Sequence, residues 1–465
     1  MNLICEPWAY KEKKDNKYLL IWPDLPKWLV VDEELFMFLN LLKQQNSIEL
    51  IIKKLSEKFK KNPLTIKDQI NEILPILIKS KIVLEEKNKK PNKKDEFPID
   101  KIEEVTITVT TRCNLNCKMC FNKYANVQKN DELTSEEIKD FLDQVIKLCS
   151  KDARVMISGG EPLITMNKTL EAAKYAKSLG FKVVSIVTNG TLVTKDFAKK
   201  VKELDIKIMV SLDGTNEKDH DFIRGKGVFK KTIRGIKILT EEGVKVQTNF
   251  MVHRGNINKL KEYYELAKDF DLYSARFISL KMLGGALETK DLELVPIDEI
   301  LEKSYNLFIK YPEFRKYSGS NIFSTFAHNC KLAVKRGWCG TGRLMVVLDS
   351  DGAIYPCSCH AFPQFLAGNI RKEKFVDIWT KSTVLKKLRK IYNVDNIDKK
   401  CSNCIVKHWC LGCKAEAYQV TKKLNSPDIQ CKKMKKSIIW MMWKIFENPD
   451  LGKSTRSIET EYVTH

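Results

Sequence analysis

A chain of 465 residues, 43% hydrophobic and 30% charged, is long enough for several domains around a sizeable core, which excludes a disordered or fibrous protein. The formal net charge of +22 comes mostly from lysines spread through the chain, so it reads either as a solvated surface or as attraction to an acidic partner. No basic block is interleaved with aromatics, so no specific nucleic-acid partner is expected. The start, MNLICEPWAY, lacks the basic and apolar regions of a signal peptide, and the late apolar stretch Ser437 to Phe446 is too short to span a bilayer. That stretch reads as a packing helix. A cytoplasmic chain without a membrane partner is expected, and there clustered cysteines more often mean metal than disulfides.

The first elements are two strands, Tyr18 to Trp22 and Lys27 to Asp32, around the turn PDLP. Three helical stretches follow, with Ser47 and Thr65 in N-cap positions, then a short strand KIVLEE. This first unit covers residues 1–88, and the lysine- and proline-bearing segment 89–100 reads as a linker. From Val105 strands and helices alternate in six units: VTITVTT, ARVMISGG, KVVSIVTNG, KIMVSLDG, KVQTNFMV and ARFISLKML supply the strands. Thr134 and Glu137 form a capping-box pattern at one of the intervening helices. The expected fold class is α/β: a partial (β/α)6 barrel over residues 101–315, between a winged-helix-like first domain and a cysteine-rich domain at 316–446, with a tail at 447–465.

In such barrels the chemistry gathers at the C-terminal ends of the strands. Each notable motif falls there. Cys113, Cys117 and Cys120 follow the first strand, with three residues in one gap and two in the next. Three thiolates are one short of a closed zinc site and one short of a fully ligated iron–sulfur cluster. SGGEP follows the second strand, TNG the third and SLDG the fourth. The chain has 14 cysteines, nine of them from Cys330 onward. Cys339 is followed by Gly352 and Cys357, then by Cys401, Cys404, Cys410, Cys413 and Cys431 at intervals of two, five, two and 17 residues. CSNC and CLGC also look like halves of a zinc ribbon. Cys5, Cys149 and Cys359 are left unassigned, with Cys149 read as a core residue.

The cysteine turn followed by GGEP resembles the radical S-adenosylmethionine superfamily, although Met119, rather than an aromatic, precedes Cys120 and Phe121 follows it. The resemblance implies a 4Fe–4S cluster on Cys113, Cys117 and Cys120, whose open iron binds S-adenosylmethionine and whose electron cleaves it to a 5′-deoxyadenosyl radical. It implies that Gly159, Gly160 and Glu161 hold the methionine ammonium, that Ser211 contacts the ribose, and that Arg224 meets the carboxylate. Asn189 is either a further cofactor contact or a loop residue with a tolerated left-handed backbone. The later cysteines resemble the SPASM extension, which binds two auxiliary 4Fe–4S clusters. By that resemblance Cys330, Cys339, Cys357 and Cys413 hold one, and Cys401, Cys404, Cys410 and Cys431 the other.

The first unit resembles the PqqD-like peptide-recognition domain that precedes many maturases of ribosomally made peptides. The expected function is therefore a radical peptide maturase installing a crosslink, a thioether first and a carbon–carbon bond next, with the precursor's leader and an electron donor such as ferredoxin or flavodoxin as partners. Ser358 stands where sulfatase maturases carry an aspartate, which lowers that reading. Cofactor or tetrapyrrole biosynthesis is the second enzyme reading. An iron–sulfur DNA-binding regulator is the alternative of another class.

Overall fold

The structure is a computed structural model, and it describes residues 3–85, 101–121, 131–318, 339–393, 397–410 and 412–452. The whole of the expected linker, 89–100, the C-terminal residues from 453, and Cys330 lie outside the described residues.

The first unit has more strands than its sequence suggests. It contains β1 (Leu3–Cys5), β2 (Tyr10–Lys14), β3 (Lys17–Trp22), β4 (Lys27–Asp32) and, after three helices, β5 (Val83–Glu85). β2, β3 and β4 form an antiparallel sheet in that order, while β1 pairs with β5. β2, YKEKK, has no apolar alternation because it is an edge strand, where lysines discourage further pairing. β3 is a continuous apolar run because both its faces are covered. Tyr18, Leu20 and Trp22 join the core under the three helices, while Leu19 and Ile21 join the main core of the protein. Ser47 caps helix Ile48–Phe59 as its sequence indicates. The cap expected at Thr65 lies instead at Asn62, whose side chain accepts from Leu64 N. Pro63 fits the first helical position because its missing N–H would have had no partner there.

The barrel strands are β6 (Ile102–Thr108), β7 (Cys149–Ser158), β8 (Val183–Thr188), β9 (Lys207–Ser211), β10 (Val246–Val252) and β11 (Ser274–Ser279), all parallel in sequence order. Val105, Ile107, Val155, Ile157, Ile186, Ile208, Val210 and Phe250 are fully buried between sheet and helices. Thr108 lies level with Ser158, and Ser211 with Asn249, so the loops after these strands leave at one end. Cys149 lies at the opposite end, paired with Ile102, and burial pushes its thiol up to about 12. The capping box at Thr134 and Glu137 is formed.

The sheet does not stop at six strands. β12 (Met345–Leu348) runs parallel beside β6, and β13 (Ala353–Tyr355) and β14 (Gly368–Asn369) extend it antiparallel to nine strands. The cysteine-rich part thus shares a sheet with the barrel, so the boundary expected near residue 316 divides the chain but not the sheet.

The C-terminal helix Cys431–Glu447 buries Ile438, Met441, Met442 and Trp443 in the main core. It is the packing helix expected from its sequence. The turn Pro449–Gly452 continues that packing through Leu451, so the expected tail at 447 begins later. Among the described residues no helix is long and apolar enough to cross a membrane. The first unit docks on this helix, where Trp443 Nε1 donates to Glu12 at 3.2 Å and Lys14 pairs with Glu447 at 2.8 Å, and on the cysteine-rich part before it, where Lys407 reaches Asp24 at 2.7 Å. Leu19, Ile21 and Trp28 supply the apolar part of the contact.

Candidate active site

The cysteine turn is held by backbone contacts that only glycine permits. Gly160 N donates to Thr110 O at 2.8 Å, and Glu161 N to Arg112 O at 2.9 Å. A Cβ on Gly160 would lie 2.2 Å from Arg112 O, and one on Gly159 2.4 Å from Thr110 O. The two glycines therefore let the GGEP loop lie flat against the start of the cysteine turn. A second pair supports the other end. Gly285 N donates to Cys120 O at 2.9 Å, and a Cβ on Gly285 would stand 2.5 Å from Lys118 O. Gly284 has φ +52°, and its own Cβ would meet Phe121 Cα at 2.5 Å. This Gly-Gly pair after β11 went unread in the sequence, although its place after the sixth strand was the available signal.

Cys113, Cys117 and Cys120 are half-buried and close enough that each raises the cost of ionising another. Burial pushes Cys117 up to about 11, so a bare site stays protonated and a bound cation would be needed to hold thiolates. Met119 turns inward to pack with Ile223, Met251 and Leu280, while Phe121 is left exposed. Among the described residues no three ligating side chains close on a single metal ion. A four-iron cluster is a larger body that spaces its thiolates more widely, and the donor set of three facing sulfurs fits one with an open iron.

Polar side chains then fix the turn to the strand ends. Asn189 Nδ2 donates to Asn114 Oδ1 at 2.8 Å, and Asn114 Nδ2 to Thr191 Oγ1 at 2.9 Å. Asn114 lies between Cys113 and Cys117, so this pair anchors the turn to the loop after β8. Glu161 is fully buried. Its carboxylate accepts from Leu163 N at 3.0 Å, Thr188 Oγ1 at 2.7 Å and Asn189 N at 2.7 Å. The side chain ties the loops after β7 and β8 together, and Gly159 and Gly160 beside it are half-buried.

Arg224 is likewise engaged. Its Nε donates to Asp213 Oδ2 at 2.5 Å, and Nη1 points at Cys117 Sγ from 3.8 Å. Asp213, 1% exposed, also accepts from Met251 N at 2.8 Å. The pair puts a cation beside the thiols. His220 accepts from Asp213 N, and burial lowers it to about 4, so it is a neutral structural ring. Ser211 is half-buried at the end of β9, level with Asn249. A cavity opens beside the cysteine turn, lined by Thr108, Phe121, Ser158 and Gly160 from the barrel and by Asp349 and Ser358 from the cysteine-rich part.

The later cysteines gather in two groups. The charges of Cys339 and Cys413 oppose ionisation of Cys357, and that of Cys404 opposes ionisation of Cys401, Cys410 and Cys431. His360, buried and neutral, touches Cys357 Sγ at 3.3 Å and Tyr392 OH at 3.1 Å. Buried Lys414 stands between the groups, 3.9 Å from Cys401 Sγ and 2.7 Å from Ser426 O. Lys414 was not legible as part of these sites, since nothing in the spacing of charges places it there.

The radical SAM superfamily matches residues 107–267, and an iron–sulfur cluster-binding domain, SPASM, matches 339–405. An AdoMet-dependent heme synthase of Methanosarcina barkeri is 31% identical over 331 residues, 67% of this chain and 91% of that protein. The mycofactocin maturase MftC of Mycolicibacterium smegmatis is 28% identical over 334 residues, 70% of this chain and 82% of that one. The crystal structure of Streptococcus suis SuiB bound to precursor peptide SuiA is similar in fold, with a TM-score of 0.59 at 17% identity, covering 92% of this chain and 100% of that one. The chain belongs to the radical SAM superfamily and is a SPASM-bearing enzyme that works with 4Fe–4S clusters and S-adenosylmethionine.

Proposed function

We propose that this enzyme is a peptide maturase that installs a crosslink, a thioether first and a carbon–carbon bond next, in a ribosomally made precursor. The observation that carries this reading is the first unit: a three-stranded sheet beside three helices, with β4 at its edge. An edge strand offers amides and carbonyls to an incoming chain, so a leader can add itself beside β4, as peptides do in strand addition. A PqqD-like role for residues 1–88 follows. The fold-level likeness to a protein seen with a precursor peptide extends over 92% of this chain, which supports the reading. The lysine excess favours an acidic leader. The first unit packs against the C-terminal helix, which would hold a leader at a fixed distance from the barrel.

When bound, the cluster and S-adenosylmethionine supply the deoxyadenosyl radical, with an electron from a ferredoxin or flavodoxin. Cys113, Cys117 and Cys120 would hold that cluster. Gly159 and Gly160 would face the cofactor's ammonium, Glu161 and Asn189 hold the edge in shape, and Ser211 lies where a ribose contact is expected. Arg224 would meet the carboxylate with the part of its guanidinium that Asp213 leaves open. Thr108, Ser158 and Ser358 line the space a peptide segment would enter. The two later thiol groups would hold auxiliary clusters that accept the surplus electron.

A second reading, tetrapyrrole biosynthesis, is favoured by the heme synthase relative. The test uses the intact enzyme with an acidic-leader precursor and with the same peptide lacking its leader. At low micromolar peptide, only the full-length precursor should be modified, and leader added in trans should compete. Equal modification of both peptides would remove the leader-binding role.

A further inference from the structure

Glu416 is a buried carboxylate, 2% exposed, that belongs to no motif in the sequence. It is the third residue after Cys413, which caps helix Lys414–Thr421. At that position a glutamate can reach back to the N–H of its own cap residue. Here the Cys413 N–H is already taken by Asp428 at 2.9 Å. Glu416 spends both oxygens on another part of the chain instead. Oε1 accepts from Met282 N at 2.8 Å, and Oε2 accepts from Lys281 Nζ at 3.1 Å. Lys281 and Met282 follow β11 and lead directly into the Gly284–Gly285 pair. There Gly285 N donates to Cys120 O at 2.9 Å, and Ala286 packs in one apolar cluster with Met119 of the cysteine turn. Leu283 N donates to Lys281 O at 2.8 Å and Ala286 N to Leu283 O at 3.1 Å, so the segment 281–286 is closed into successive turns. It is fastened at one end to the helix that Cys413 begins and at the other to Cys120. A displacement at Met282 therefore reaches the radical site over a short, hydrogen-bonded path.

We propose that Glu416 is a positioning residue for the radical site: through Met282 N it fixes the cysteine turn against the cysteine-rich part and so sets the place of Cys120. The role of Lys281 is to neutralise the buried carboxylate, since a charge without a partner is costly there. The alternative, in which Glu416 only lends its charge to the N-terminus of its own helix, leaves the radical site unchanged when the side chain is removed.

The test uses the full-length reconstituted enzyme and titrates S-adenosylmethionine against the electron paramagnetic resonance spectrum of the reduced radical cluster. Glu416→Ala should weaken the affinity for S-adenosylmethionine about tenfold, within the usual range for coupled sites. An unchanged affinity overturns the proposal. Glu416→Gln combined with Lys281→Met keeps an oxygen for Met282 N and removes the ammonium that the amide NH2 would face. That pair should restore the native affinity, and a pair as weak as Glu416→Ala overturns the route through Met282. Iron shows where the effect lies. In protein carrying Cys113→Ala, Cys117→Ala and Cys120→Ala, the auxiliary clusters should hold about eight irons with or without Glu416→Ala. A count that falls with Glu416→Ala would mean that the carboxylate serves the auxiliary clusters, and overturns the proposal. Should Glu416→Ala lose all its iron through misfolding, Glu416→Asp decides, because it keeps the charge near Lys281 but draws it back from Met282 N. Full iron with a weakened affinity supports the proposal, and a native affinity or a loss of all iron overturns it. None of these readouts needs a peptide, so failure of the peptide reading leaves them standing.

Discussion

Glu161→Gln exchanges one carboxylate oxygen for an NH2 group and leaves the shape of the side chain unchanged. In the native site three donors converge on that carboxylate: Leu163 N, Thr188 Oγ1 and Asn189 N. An amide has only one oxygen to offer them, so its NH2 must face a buried N–H or hydroxyl. One hydrogen bond to a charged group is lost, at about 1.5–3 kcal/mol, and a buried donor is left unsatisfied, at about 1–3 kcal/mol. Burial opposes the charged form of Glu161, so the neutral amide recovers part of that cost. A net loss of about 2–3 kcal/mol should lower the melting temperature of a unit of this size by roughly 5–10 °C. The assay is anaerobic calorimetry of the reconstituted enzyme, with the rate of deoxyadenosine formation measured alongside. The variant should melt earlier and cleave S-adenosylmethionine more slowly, because Asn189 and Asn114 no longer fix the cysteine turn. An unchanged melting temperature with only a raised KM for S-adenosylmethionine would refute the reasoning. It would mean that the carboxylate serves the cofactor and not the strand ends.

Gly285→Ala should displace the cysteine turn, because its methyl would lie 2.5 Å from the Lys118 carbonyl; iron analysis should find the radical cluster depleted and the auxiliary clusters retained. Lys414→Met removes a cation 3.9 Å from the Cys401 sulfur. The reduction potential of that cluster should fall on the order of 100 mV in a redox titration, and an unmoved potential would place the charge elsewhere. Binding of an acidic leader, measured by fluorescence anisotropy, should weaken with added salt, and a salt-independent affinity would remove the lysines from recognition.

The barrel was legible because its strands are short, apolar and β-branched, and because every reactive motif falls at the same end of a strand. The capping box at Thr134 and the cap at Ser47 were readable for the same local reason: each side chain bonds to backbone three residues away. What escaped is long-range or unpatterned. β2 reads as a polar loop because an edge strand needs no buried face. β12 joins β6 across more than two hundred residues, a pairing no local signal encodes. Lys407 and Asp24 hold the first unit against the cysteine-rich part, and each looks like an ordinary surface charge in sequence. Glu161 was legible as a site residue, but its bonds to Thr188 and Asn189 were not, since both partners lie more than 25 residues on. The division of the later cysteines into two sets came from the family resemblance, since spacing alone would put Cys410 and Cys413 together.

The central claim is that the radical acts on a peptide. The direct measurement is anaerobic incubation of the reconstituted enzyme, a reductant and S-adenosylmethionine with a candidate precursor, a short peptide carrying an acidic leader, read by mass spectrometry. The account predicts a precursor lighter by the mass of two hydrogens, with deoxyadenosine formed alongside it, and neither product when Cys113, Cys117 and Cys120 are replaced by Ala. Deoxyadenosine formed at full rate while the peptide mass stays unchanged, with a tetrapyrrole consumed in its place, would contradict it.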